Sequence, residues 1–142
     1  MFTVLMPIDG SETHGVAQAD AVVALPHAAD EVRVTLLHVF DEEELGDYYA
    51  SADLFVSPSL SEPFGITITE ALSAGTRVVA TESGVNEVLP DDCVIEVEPA
   101  SGSLADGIDY GLSLEGPPEY DPVTWEDVVD ETIDFYERIA GE

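Results

Sequence analysis

Five short apolar runs, at residues 2–8, 32–39, 53–57, 77–81 and 93–97, punctuate this chain, and the stretches between them carry helical patterning. Runs this short and this uniformly apolar suit strands covered on both faces, the condition of a parallel sheet. Helices are expected over 12–25, 42–51, 65–74, 84–89 and 102–113. Regular alternation of the two element types implies right-handed β-α-β crossovers. The fold class expected is therefore a three-layer α/β sandwich, one domain over residues 1–142. Glu115-Gly-Pro-Pro-Glu-Tyr-Asp-Pro reads as a loop, because proline is not tolerated inside a helix. A last helix is expected from Thr124, with Asp127 completing a capping box. Trp125, Val128, Val129, Thr132, Ile133, Tyr136 and Ile139 recur there at helical spacing, and such a stripe is expected to pack on the sheet.

Chemistry concentrates in Ser61-Glu62-Pro63-Phe64-Gly65-Ile66-Thr67-Ile68-Thr69-Glu70, two carboxylates astride a Pro-Phe-Gly turn. The turn joins the strand at 53–57 to a helix that ends at Gly75, a C-cap residue. A strand, a glycine turn and a helix N-terminus make an anion site, since unpaired backbone N–H groups and the helix dipole converge there. The bland alternative is a solvated surface turn, with Glu62 and Glu70 facing water.

These residues resemble the donor-binding signature of retaining glycosyltransferases of the two-Rossmann-domain (GT-B, group 1) type. The family pattern E-x-F-G-x-x-x-x-E is met at every fixed position between Glu62 and Glu70. The resemblance implies that Glu62 sits by the transferred sugar, as the family's catalytic-site carboxylate. It implies that the Phe64 and Gly65 backbone bonds the sugar hydroxyls, that the Ile66 and Thr67 amides cradle a diphosphate, and that Glu70 accepts from both ribose hydroxyls. It covers residues 44–142 and makes the sandwich Rossmann-like or flavodoxin-like. Losing the family's leading strand would leave a gap beside 53–57. The apolar N-terminal strand is expected to fill it, for a five-stranded order 2-1-3-4-5.

Residues 1–43 resemble something else. Phe2-Thr-Val-Leu-Met-Pro-Ile-Asp-Gly-Ser, a helical stretch and Val32-Arg-Val-Thr-Leu-Leu-His-Val-Phe look like the opening β-α-β unit of a universal stress protein. In that family Asp9, Gly10, Ser11 and the backbone near Val39 would contact a nucleotide. Its later glycine-rich phosphate loop is absent, and Ser11 serves equally as an N-cap. The two resemblances together describe a chimera with its seam near Phe40–Tyr49. Asp41 and Glu44 have capping-box spacing there.

Charge sets the partners. Three arginines, no lysine and 31 acids give a net charge of −28, with the acids spread along the whole chain. Such a surface needs screening by salt and resembles that of haloarchaeal cytoplasmic proteins. Direct nucleic-acid binding is strongly disfavoured on this account and none is expected, since almost nothing could neutralise phosphates. The expected partner is a nucleotide sugar or a nucleotide; no membrane contact is expected, for no apolar run reaches the ~18 residues of a span. The N-terminus lacks the basic region of a signal peptide, so a cytoplasmic location is expected. Composition sets no oligomeric state, and a homodimer is allowed.

No metal or other cofactor is expected. His14, His27 and His38 share no ligand spacing, and Cys93 stands alone in an apolar strand as a small buried hydrophobe. Working members of the glycosyltransferase family also use a second Rossmann domain for the acceptor and an Arg and a Lys against the diphosphate. This chain has no lysine, and Arg77 opens a strand at the edge away from the ligand end. The expectation is nucleotide-sugar binding without complete glycosyl transfer, with three alternatives open: a vestigial donor site, a stress-protein-like nucleotide-binding or dimerising module, and a folded chimera without activity.

Overall fold

Alternate side chains of a strand point to opposite faces of a sheet, and the core of this protein is divided accordingly. A computed structural model describes residues 1–7, 16, 20, 23–24, 32–37, 44–60, 62, 64–82, 84–86, 89–90 and 93–141, with backbone only at Pro7, Leu36 and Leu37. The strands are β1 (Phe2–Pro7), β2 (Val32–Leu37), β3 (Leu54–Ser57), β4 (Arg77–Thr81) and β5 (Val94–Val97). The helices are α1 (Leu45–Ala50), α2 (Ile66–Ser73), α3 (Ser101–Ser113) and α4 (Trp125–Ala140). All strand pairings are parallel and the order is β2-β1-β3-β4-β5. The predicted order holds.

One face of the sheet buries Val4, Met6, Leu54, Val56 and Val79 under Leu104, Ala105 and Ile108 of α3. The opposite face buries Leu5, Phe55, Val78 and Ala80 with Tyr49 of α1 and Ile68, Ala71 and Leu72 of α2. Val4, Leu5 and Met6 are fully enclosed, as a central strand requires; each contributes about 1.5–3 kcal/mol by burial. Register at the amino edge is pinned by Asp53, whose carboxylate accepts from the Thr3 amide at 2.6 Å while its own amide donates to Thr3 O at 2.9 Å. Helix α3 lies close on the sheet because Gly107 and Gly111 face it. A Cβ at Gly107 would meet Val97 Cγ1 at 2.5 Å, and one at Gly111 would meet Leu54 Cδ1 at 2.9 Å.

Helix α2 ends as expected at Gly75, φ +82°, in a Schellman arrangement. Thr76 N–H donates to Ala71 O and Gly75 N–H to Leu72 O, both at 2.9 Å. The capping box of α4 also forms. Asp127 N–H donates to Thr124 Oγ1 at 3.2 Å, and Thr124 N–H to Asp127 Oδ2 at 2.8 Å. The Thr124 hydroxyl first, then its amide, hold the Asp127 carboxyl below the usual carboxylate range.

Two expectations are corrected. The segment 84–89 is a turn over Gly84–Asn86, closed by Leu89 N–H donating to Val85 O at 3.1 Å, and its residues 87 and 88 lie outside the described ones. The α4 stripe does not pack on the sheet: none of the helix's residues is buried, and Trp125 is 84% exposed. Periodicity reports that a helix has an apolar face, whereas what covers that face depends on where the preceding loop delivers it. Trp125→Ala should therefore shift Tm by less than about 2 °C, in the range of surface substitutions. Trp125 emission in the parent should be water-like and quenched by acrylamide. Blue-shifted emission, or a loss of many degrees, would show the stripe to be covered in solution.

The Asp41–Glu44 capping box falls partly outside the described residues; Glu44, at the N-cap of α1, makes no side-chain cap bond. Cys93 is buried as expected, its thiol directed at Glu119 O at 3.1 Å. No described helix is long and apolar enough to cross a membrane.

Candidate functional site

A parallel sheet offers ligands its carboxyl edge, where strand order reverses. Here the reversal falls between β1 and β3, and the turn from β3 into α2 carries the Glu62–Glu70 residues. Gly65 is the N-cap of α2 with φ +61° and ψ +32°, a left-handed conformation that glycine adopts without strain. Its carbonyl accepts from Ile68 N–H at 3.0 Å and Thr69 N–H at 3.1 Å. The amides of Ile66 and Thr67 are left without a partner among the described residues, two donors at the positive end of the helix dipole.

Glu62 closes the turn on itself. Its Oε1 accepts from Gly65 N–H at 3.0 Å, while its carbonyl accepts from Gly84 N–H at 3.2 Å. The Gly65 amide is thus engaged by Glu62, so a sugar hydroxyl reaching that amide would compete with the carboxylate. Phe64 projects its ring outward, 76% exposed. Thr81, at the carboxyl end of β4, donates its hydroxyl to Ser59 O, and Asn86 Nδ2 donates to Glu96 Oε2 at 2.7 Å. The first bond ties the loop after β3 to the end of β4, and the second ties the connection after β4 to β5. Val85 in that connection presses on Gly65: a Cβ there would come within 2.1 Å of Val85 Cγ1.

Glu70 sits one turn into α2, half-buried. Helical side chains lean toward the N-terminus, the end of α2 at which the Ile66 and Thr67 amides lie. It accepts at Oε2 from the Tyr49 hydroxyl at 3.2 Å. Burial first, then the Glu70 charge and this hydrogen bond, push the Tyr49 phenol well above its ordinary pKa. It therefore remains a donor at any ordinary pH. Sequence reasoning missed Tyr49 and Val85, because neither has a local signal: one lies 21 residues before Glu70 in an ordinary amphipathic helix.

The chain's cations lie elsewhere. Arg77 is at the amino edge, with Nη2 donating to Gly116 O at 2.8 Å; Arg33 lies in β2, against Met1; Arg138 lies over the Phe135 ring on α4. Among the described residues no three His, Cys, Asp or Glu side chains converge on a metal-sized site. Asp9, Gly10, Ser11 and Val39, the alternative nucleotide contacts, lie outside the described residues.

A family model described as "Glycosyl transferases group 1" matches residues 10–113, beginning well before the expected seam. The chain is 37% identical over 129 residues to a D-inositol 3-phosphate glycosyltransferase of Mycolicibacterium smegmatis, covering 88% of this chain and 25% of that protein. It is 30% identical over 122 residues to a component of the human phosphatidylinositol N-acetylglucosaminyltransferase, covering 78% of this chain and 25% of that one. It thus spans about a quarter of the length of these relatives. Among solved structures, the C-terminal domain of a glycosyl transferase group 1 family protein from Francisella tularensis superposes with a TM-score of 0.60 at 21% identity, over 80% of this chain and 76% of that one. The catalytic domain of starch synthase IV from Arabidopsis thaliana, bound to ADP and acarbose, gives 0.59 at 16% identity, over 99% of this chain and 39% of that one. Both share the fold.

Proposed function

The chain belongs to the group 1 glycosyl transferases, and from that premise we propose that it serves as a nucleotide-sugar-binding domain without complete transferase activity. The observation that carries this reading is the turn at the carboxyl edge, where a left-handed Gly65 opens α2 with two amides that have no partner among the described residues, and Glu70 stands one turn further along the helix. Those amides suit a diphosphate, and the Glu70 carboxylate suits a ribose diol. Glu62 is the residue for the sugar itself, its carboxylate released from the Gly65 amide when a hydroxyl takes its place. Binding rather than transfer is proposed because departure of a nucleoside diphosphate needs positive charge at the leaving group. None of Arg33, Arg77 and Arg138 lies on this turn or on the strand ends beside it.

The distributed negative charge is read as adaptation to concentrated salt, so the test belongs in about 2 M KCl. Titration with UDP-glucose and with UDP, followed through backbone amide resonances, should perturb Phe64 to Thr67. Affinity should be roughly millimolar, about −4 kcal/mol, because a net −28 field opposes an anionic ligand. Glu70→Ala should abolish binding of both ligands. Glu62→Ala should weaken only the sugar-bearing one. Amides that stay still at tens of millimolar of either ligand would overturn this reading. ATP is the parallel probe for the second resemblance, a stress-protein-like nucleotide site at residues 1–43: shifts at Asp9 to Ser11 and Val39, with none at Phe64 to Thr67, would favour it. The family match, which runs through that segment from residue 10, favours the first reading.

A further inference from the structure

We propose that Tyr49 is a positioning residue for the nucleotide-binding turn, its hydroxyl holding one oxygen of Glu70 so that the rest of the carboxylate is presented, pre-oriented, to a ribose cis-diol. The inference rests on the nucleotide-binding reading above and adds a residue from a different helix to it. A free glutamate on a helix surface samples several rotamers, and ordering its side chain costs binding energy each time a ligand arrives. Here that ordering is done in advance. The Tyr49 hydroxyl donates to Glu70 Oε2 at 3.2 Å, which leaves Oε1 and the remaining lone pairs as acceptors.

The donor is itself immobilised from three sides. Tyr49 is 2% exposed, and its ring meets Phe55 of β3 edge-on, with centroids 5.1 Å apart and planes at 90°. Its carbonyl accepts from the buried Thr76 hydroxyl at 2.6 Å and from Ala52 N–H at 3.0 Å. Thr76 is the residue whose amide closes the Schellman end of α2. The Tyr49 backbone is therefore tied to the C-terminal end of the same short helix that carries Glu70. The phenol has one proton to give, and it gives it to the Glu70 carboxylate.

A purely structural account is that the carboxylate satisfies a buried hydroxyl. The two roles separate by ligand. Tyr49→Phe keeps the ring and its contact with Phe55 and removes only the donor. Dissociation constants are measured in about 2 M KCl for ADP, UDP and GDP, and for their dideoxyribose counterparts, which lack the diol. For whichever nucleotide binds most tightly, Tyr49→Phe should raise the constant about five- to tenfold, and leave that of the dideoxy form unchanged. In a Glu70→Gln background the effect of Tyr49→Phe should shrink or vanish. Three-bond couplings reporting χ1 of Glu70 should show one rotamer in the parent and averaging in Tyr49→Phe. Equal losses for the two nucleotide types, no loss for the ribonucleotide, or unchanged couplings would each overturn the positioning role. A parent protein that binds none of the nucleotides overturns the nucleotide-binding reading instead, and the couplings alone then decide whether Tyr49 orders Glu70.

Discussion

Gly65→Ala is expected to lower Tm by about 10 °C and to abolish nucleotide binding. Two costs combine. An alanine held at φ +61° carries about 1–2 kcal/mol of left-handed strain. Its Cβ would also fall 2.1 Å from Val85 Cγ1 and 2.7 Å from Val85 Cβ. Relieving an overlap of that kind costs typically 1–3 kcal/mol. The total of about 2–5 kcal/mol is a large share of the 5–15 kcal/mol that holds an ordinary domain together. At this chain length it translates to roughly 3–4 °C per kcal/mol. Gly75→Ala is the control, because Gly75 has φ +82° with nothing within 4 Å of the position of a Cβ; it should bear the strain alone and lose only a few degrees. Val85→Ala should restore part of the stability of Gly65→Ala but not its binding, since the shifted backbone carries the Ile66 and Thr67 amides. The account fails if thermal denaturation finds Gly65→Ala no worse than Gly75→Ala.

Salt should have an effect of similar size. A net charge of −28 on 9416 Å² of accessible surface opposes compaction wherever the Debye length exceeds the spacing between carboxylates. Helix α4 concentrates the problem. Glu126 and Asp130, Asp127 and Glu131, and Asp130 and Asp134 are like-charged pairs four residues apart, against one favourable pair of Asp134 with Arg138. Raising NaCl from about 0.1 to 2 M shortens the Debye length from about 10 Å to below 3 Å. Tm should rise by about 10 °C, corresponding to roughly 3 kcal/mol of relieved repulsion. The rise should be steepest in the first few hundred millimolar, where screening changes most. Sucrose, which stabilises without screening, should not reproduce that shape. A midpoint that ignores salt would refute the electrostatic reading.

The chain's own pattern of short apolar runs determined a great deal here. Each strand predicted from such a run is present, and the order β2-β1-β3-β4-β5 follows from which run is apolar enough to sit in the middle. The ends of α2 and α4 were equally legible, because Gly75 and the Thr124–Asp127 pair act within a few residues of themselves. The glycosyl transferase signature was readable for the same reason: Glu62, Gly65 and Glu70 belong to one turn and one helix. Tertiary structure alone decided the rest. Only the folded chain brings Val85 onto Gly65 and Tyr49 onto Glu70, because each pair joins segments that sequence spacing does not relate. It also decided the fate of the α4 stripe, which a helical period correctly marked as apolar and wrongly implied to be covered. A periodicity is a property of one element, whereas burial is a property of two, and the second is known only once the loops have placed them.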